Sequence, residues 1–217
     1  GIVLHMQSVE QEGGKSCSEN ETLAARKLLV LNASLPLEAI RERKLEATVT
    51  STDLDGFFEH VWTVHPFATL VTSNDGISKY GSPEVHAFAQ RHTFIEGKVG
   101  RFPFLKWVEP LNFLISQIEI FFSLVRLIRK ERISVVDAWT PLYPGLFAWA
   151  LSRLCGIPFV IRVVQNNDKI YEVTGKQSER RLWFTRKNEK IVERFVLKRA
   201  SLVAAVNQNN LDFALAN

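Results

Sequence analysis

"ISVVDAWTPLYPGLFAWALSRLCGIPFVIRVV", residues 133–164, decides the fold class. It opens on a run rich in β-branched and aromatic residues, Ile133 to Trp139, which reads as a strand. A helix follows over Pro144 to Leu154: proline suits a first helical turn, and Gly156 suits the position just past the last one. A second apolar run, "IPFVIRVV", closes the stretch. Strands that alternate with helices and are apolar on both sides imply a parallel sheet covered on both faces.

The same alternation extends outward. "KLLVLNA" from Lys27 reads as a strand and Leu37 to about Ala47 as a helix. "HVWTVHPF" (His60 to Phe67) and "HTFIEG" (His92 to Gly97) read as further strands, with a long polar loop over 72–90 between them. The longest helix spans about 106–130. Its apolar residues Leu111, Leu114, Ile115, Ile118, Phe121, Phe122, Val125 and Ile128 keep a helical period, so this stripe is expected to face the core. Ile120, Leu124 and Leu127 widen it and imply a second covered face. Beyond Val164, a charged helix over 178–199, the strand "SLVAAV" and a helix from Gln208, with Asn207 as N-cap, complete the pattern. With right-handed crossovers this is α/β: a Rossmann-like, doubly wound, mostly parallel sheet with helices on both faces.

Composition sets the outer limits. The chain has 217 residues, 46% hydrophobic and 23% charged, enough to form a core without disulfides. Net charge is +4 and the isoelectric point about 9.1, which permits contact with phosphate or an anionic membrane without demanding it. Cys17 and Cys155 form no disulfide framework and no metal motif, which points to a reducing, cytoplasmic setting. No signal peptide and no transmembrane segment are expected; the nearest candidate, Leu111 to Ile128, carries Asn112, Gln117, Glu119 and Arg126. Residues 1–26 are polar and read as a mobile tail ahead of a domain over 27–217. "GGKS" in that tail, Gly13 to Ser16, lacks the first glycine of a phosphate-binding loop, since Val9 stands there.

"DAWTPLYPGLFAWALSRLCGIPFVIRV" (137–163) and "ERFVLKRASLVAAVN" (193–207) together resemble the N-terminal half of family 4 glycosyltransferases. The matching pieces are a strand that leads through a loop into a Pro-Gly helix (Asp137 to Gly145), a "GIPxV" strand (Gly156 to Val160), an Arg-Ala helix end (Arg199-Ala200) and a strand ending at Asn207. The resemblance implies one half of a GT-B architecture, in which an N-terminal domain receives the acceptor and a C-terminal domain binds the nucleotide-sugar donor. Transfer is then retaining, with the nucleotide-sugar as substrate and no cofactor or metal ion. It also implies a glycan or lipid-linked acceptor and possible membrane association. The chain ends about where such an N-terminal domain would, so a truncated enzyme, inactive alone, is expected. Two departures stand out: Val164 and Gln165 replace a His-Gly pair common in the family, and "NASLPLEA" replaces a Gly-Gly loop. No catalytic residue is carried over.

Ligands of such sheets bind beyond the carboxyl ends of the strands. The acceptor-binding candidates are therefore Asn32, Thr140, Tyr143, Gln165, Asn166, Asn167 and Asp168, whose amides, hydroxyls and carboxylate suit sugar hydroxyls. His65, Lys169 and Lys176 are candidates for phosphate or for the cleft wall. Arg186, Lys190, Arg194 and Lys198 recur every four residues and mutually repel in an isolated helix. They are the candidate face for anionic lipid. Histidine spacing suggests no metal. A non-catalytic Rossmann-like module that pairs with another chain is the alternative function. No GxGxxG follows a strand, which argues against a dehydrogenase, and no basic–aromatic platform supports nucleic-acid binding.

Overall fold

The computed structural model describes residues 2–5, 26–70 and 79–217, with side chains for all of these except 2–5, 180 and 181. Its strands are β1 (Ile2–His5), β2 (Lys27–Leu31), β3 (His60–His65), β4 (Glu84–Ala89), β5 (His92–Glu96), β6 (Val135–Ala138), β7 (Phe159–Val163) and β8 (Leu202–Ala205). The helices are α1 (Leu37–Glu42), α2 (Glu46–Thr50), α3 (Glu109–Glu131), α4 (Tyr143–Cys155), α5 (Asn167–Thr174), α6 (Arg180–Trp183), α7 (Arg186–Leu197) and α8 (Gln208–Ala216).

The strands form one sheet in the order β1-β8-β7-β6-β2-β3-β5-β4. All neighbours are parallel except the β4–β5 pair. Without the two edge strands this is the Rossmann order. The chain winds outward from β2 through β3 to β5, returns to the centre, and winds the other way from β6 through β7 to β8. Helices α3, α4 and α7 cover one face, over Leu29, Leu31, Val64, Val136, Ala138 and Ile161. Helices α1 and α2 cover part of the other, where Leu37, Ile40 and Val49 pack on Phe94. The α/β, doubly wound expectation holds.

Several local expectations change. Residues 2–5 of the supposed tail pair in register with β8, while Gly13–Ser16 and Cys17 lie outside the described residues. The polar loop over 72–90 contains β4, an edge strand with mostly exposed side chains that therefore lacks an apolar signature. The charged helix over 178–199 is interrupted: Phe184 adopts φ 59°, and Thr185 caps α7 by accepting the Asn188 N–H.

Helix α3 differs most. Its buried face carries Asn112, Ser116, Gln117, Ile120, Leu124, Val125 and Ile128. Leu111, Leu114, Ile118 and Phe122, counted above as core, are instead exposed. The buried polar residues each bond the main chain below them. Asn112 accepts the N–H groups of Arg101 and Phe102, Ser116 donates to the Lys98 carbonyl, and Gln117 donates to the Pro66 carbonyl. Unmade, such bonds would cost about 1–3 kcal/mol per buried group, so they fix the helix rotation against its apolar pattern. By length and composition α3 is also apolar enough to cross a membrane. Its inner face is nonetheless part of the domain core.

Candidate functional site

The two halves of the sheet diverge between β2 and β6, so the crevice beyond Leu31 and Ala138 is the topological switch point. Two turns form its walls. After β2, Asn32 accepts the Ser34 N–H at 2.9 Å, an Asx turn. After β6, the Trp139 N–H donates to the Leu31 carbonyl, which ties this wall to the first. The chain then enters α4 at Tyr143, with Gly145 packed so closely that a Cβ would stand 2.8 Å from the Thr140 carbonyl. Gly145 is thus a packing requirement.

A mainly apolar cavity opens at this point, lined by Val30, Asn32, Leu35, Ile40, Thr63 and Trp139 among others. Trp139 Nε1 and Thr63 Oγ1 are buried there without a hydrogen-bond partner among the described residues; Thr140 Oγ1 is also without one but does not line the cavity. Sequence reasoning missed Thr63 and Trp139. Thr63 lies inside a strand that reads as pure core, and Trp139 reads as a strand terminus. Apolar walls with a few unmet polar groups are the usual make-up of a small-molecule site, and at about 70 Å³ this cavity admits a substituent of a ligand and not a whole sugar ring.

The other candidates fare differently. Tyr143 points inward: its hydroxyl donates to Gln117 Oε1 at 2.7 Å, its ring packs on Phe67, and burial pushes its pKa up. His65 is fully buried, and burial pushes its imidazole down to about 4, so it is neutral at pH 7. Lys169 and Lys176 are exposed near opposite ends of α5 and do not converge.

Gln165 to Asp168, named above as acceptor-binding candidates, lead into α5. Asn166 is its N-cap, accepting the Lys169 N–H at 3.1 Å and donating to Asn209. Asn167 is buried, accepts from Gln165 and Ser178, and donates to Glu193. Asp168 takes Arg186 at 2.7 Å and also binds Lys190. The polar groups of this cluster are thus engaged with the protein itself.

Arg186 is the hub. One terminal nitrogen reaches Glu189 and Glu193, both at 2.9 Å; the other reaches Glu193 at 3.0 Å and Asp168 at 2.7 Å. Glu189 and Glu193 are fully buried. The four-residue basic spacing of α7 therefore does not make one lipid-facing row. Arg186 and Lys190 turn toward the carboxylates, whereas Arg194 and Lys198 are exposed.

Glu179 ties this network to the switch point. It accepts the Tyr143 N–H at 3.0 Å and Trp183 Nε1 at 2.8 Å, and its own N–H donates to Glu189. Burial pushes its carboxyl from 4.5 up to about 7. The folded chain therefore holds a proton there that the unfolded chain has released, and stability falls as pH rises from about 4.5 to about 7. His65 acts oppositely: unfolded, it binds a proton below 6.5, and folded only below about 4, so its contribution rises with pH across that window. Comparing variants separates the two. Glu179→Gln is expected to abolish its share of the fall, gaining melting temperature relative to the parent at pH 8 but not at pH 4.5. An equal difference at both pH values would contradict this.

One further cluster lies at the β4–β5 edge. Ligand atoms of Glu84, His86 and Glu96 come within 4.8 Å of one another, a grouping able to hold a metal ion. The Lys98 ammonium already sits 2.6 Å from Glu84, and Glu96 accepts the Leu37 N–H at 2.8 Å. The carboxylates thus serve an ion pair and the start of α1. No family model matches the chain, and no curated protein matches it.

Proposed function

We propose that this chain is the acceptor-side domain of a retaining, nucleotide-sugar-dependent glycosyltransferase. The observation that carries this reading is the switch-point cavity, where Trp139 Nε1 and Thr63 Oγ1, in a lining shared with Asn32, have no hydrogen-bond partner among the described residues. The hydroxyl and hydroxymethyl groups of a sugar both donate and accept hydrogen bonds, and one such group suits a lining of this size and polarity. The resemblance of residues 137–163 and 193–207 to family 4 enzymes supports it, because the first of these segments contributes the Trp139–Thr140 wall.

In this reading the crevice holds the acceptor so that one hydroxyl meets the anomeric carbon of the donor. Its contribution is proximity and orientation. By analogy with the family 4 enzymes the donor is assigned to a separate, C-terminal domain and not to this one. The chain is expected to transfer no sugar when incubated alone with UDP- and GDP-sugars and a polyprenyl-linked glycan. Turnover by the chain alone, followed with a radiolabelled sugar, would contradict this division of labour.

A further inference from the structure

We propose that the outer face of α3, with the aromatic turn preceding it, seats the domain on an anionic membrane surface, lying in the headgroup layer without crossing it. The inference is independent of the glycosyl-transfer reading.

Trp107 is 85% exposed, Phe104 72%, Leu114 54% and Phe122 50%, and Leu111 and Ile118 are exposed between them. Within α3, Leu111, Leu114, Ile118 and Phe122 recur at steps of three or four and form one line about 16 Å long at 1.5 Å per residue, with Phe104 and Trp107 in the turn before it. Scattered exposed apolar residues are ordinary, but a continuous line marks an interaction surface. Chance rotation of the helix does not explain it, because Asn112, Ser116 and Gln117 are bonded into the interior and hold the apolar side outward.

Charge selects the occupant. The line is continued at its C-terminal end by exposed Arg126, Arg129 and Lys130 and flanked at the other by Lys106, whose ammonium lies 5.3 Å from the Trp107 ring. The acids on α3 are mostly neutralised within the protein: Glu119 pairs with Arg101 at 2.8 Å and Glu131 with Lys27 at 3.1 Å. An apolar strip with aromatic residues at one end and exposed cations at its ends is the pattern of an interfacial helix on anionic lipid. Spanning is excluded while the domain is folded, since Ile120, Leu124, Val125 and Ile128 on the inner side belong to the core.

The test is co-flotation of the 217-residue chain with phosphatidylcholine vesicles, with and without about one-third phosphatidylglycerol, as a density of anionic headgroup sufficient for basic residues to sense. Binding is expected to the anionic vesicles and to weaken with added salt. The triple variant Leu114→Gln, Ile118→Gln, Phe122→Gln is expected to lose about tenfold or more in partitioning while keeping its melting temperature, because these side chains are exposed. Arg126→Gln with Arg129→Gln should reduce anionic binding alone, and Arg194→Gln with Lys198→Gln should change nothing. Three results would overturn the proposal: no flotation; flotation unaffected by the triple variant; or, without lipid, a dimer in sedimentation that the triple variant dissolves, which would make a second copy the occupant.

Discussion

Arg186→Met is expected to destabilise the domain by about 3–5 kcal/mol, the range for removing one partner of a buried ion pair. The reason is a charge imbalance in a dry site. Among the described residues, Arg186 alone bridges Glu189, Glu193 and Asp168, and the two glutamates are fully buried. Without it, two carboxylates remain in a low-dielectric interior with Asn167 as the nearest neutral donor to Glu193. Arg186→Lys should restore only part of the loss, because a single ammonium cannot reproduce four directed bonds from two nitrogens. Adding Glu189→Gln and Glu193→Gln to Arg186→Met should recover stability, since the cost lies in the stranded charges. Urea unfolding of this series is the measurement. A loss under 1 kcal/mol for Arg186→Met, or no recovery in the triple variant, would contradict the account.

Gly97→Ala is expected to be nearly as damaging, about 3 kcal/mol or more, from overpacking against main chain that cannot give way. A Cβ at this position would stand 1.9 Å from the Pro66 carbonyl oxygen and 2.9 Å from Ile120 Cδ1. The backbone has little room to move away, since the Gly97 N–H donates to the His65 carbonyl at 2.8 Å and Gln117 holds the Pro66 carbonyl from the other side. Gly175→Ala is the contrasting case. Gly175 adopts φ 63° in open space, so only backbone strain of about 1 kcal/mol is at stake. Thermal unfolding of both variants separates steric exclusion from conformational preference. Equal losses would contradict the close approach of β5 to Pro66.

Much of the sheet was legible because buried parallel strands are continuous apolar runs, and β2, β3, β6, β7 and β8 all have that form. Strand β4 was not, because an exposed edge strand needs no apolar face and Glu84, His86 and Ala89 look like loop. Helix α5 was hidden by its cap: Asn166-Asn167-Asp168 has the composition of a turn, and only the structure shows Asn166 beginning a helix. The α3 error has a different cause. Periodicity identifies a helix but not which way it faces, and here hydrogen bonds from Asn112, Ser116 and Gln117 outweigh the apolar pattern. On α7 the repulsion among Arg186, Lys190 and their successors was legible. The burial of Glu189 and Glu193 that reverses its meaning was not, because it depends on α5 arriving from elsewhere in the chain.

The switch crevice shows the same division. Asn32 and Thr140 were foreseeable from their place at strand ends. Thr63 and Trp139 acquire significance only when their unmet polar atoms are seen beside one cavity. The central claim is that this cavity receives sugar hydroxyls, and the indole N–H of Trp139 reports on it directly. In a ¹⁵N-labelled chain that resonance, assigned with Trp139→Phe, is expected to shift in a saturable way on titration with methyl glycosides of common hexoses, and to stay fixed with UDP or GDP. Silence of the Trp139 indole toward every glycoside, or a shift produced by the nucleotides instead, would contradict the account.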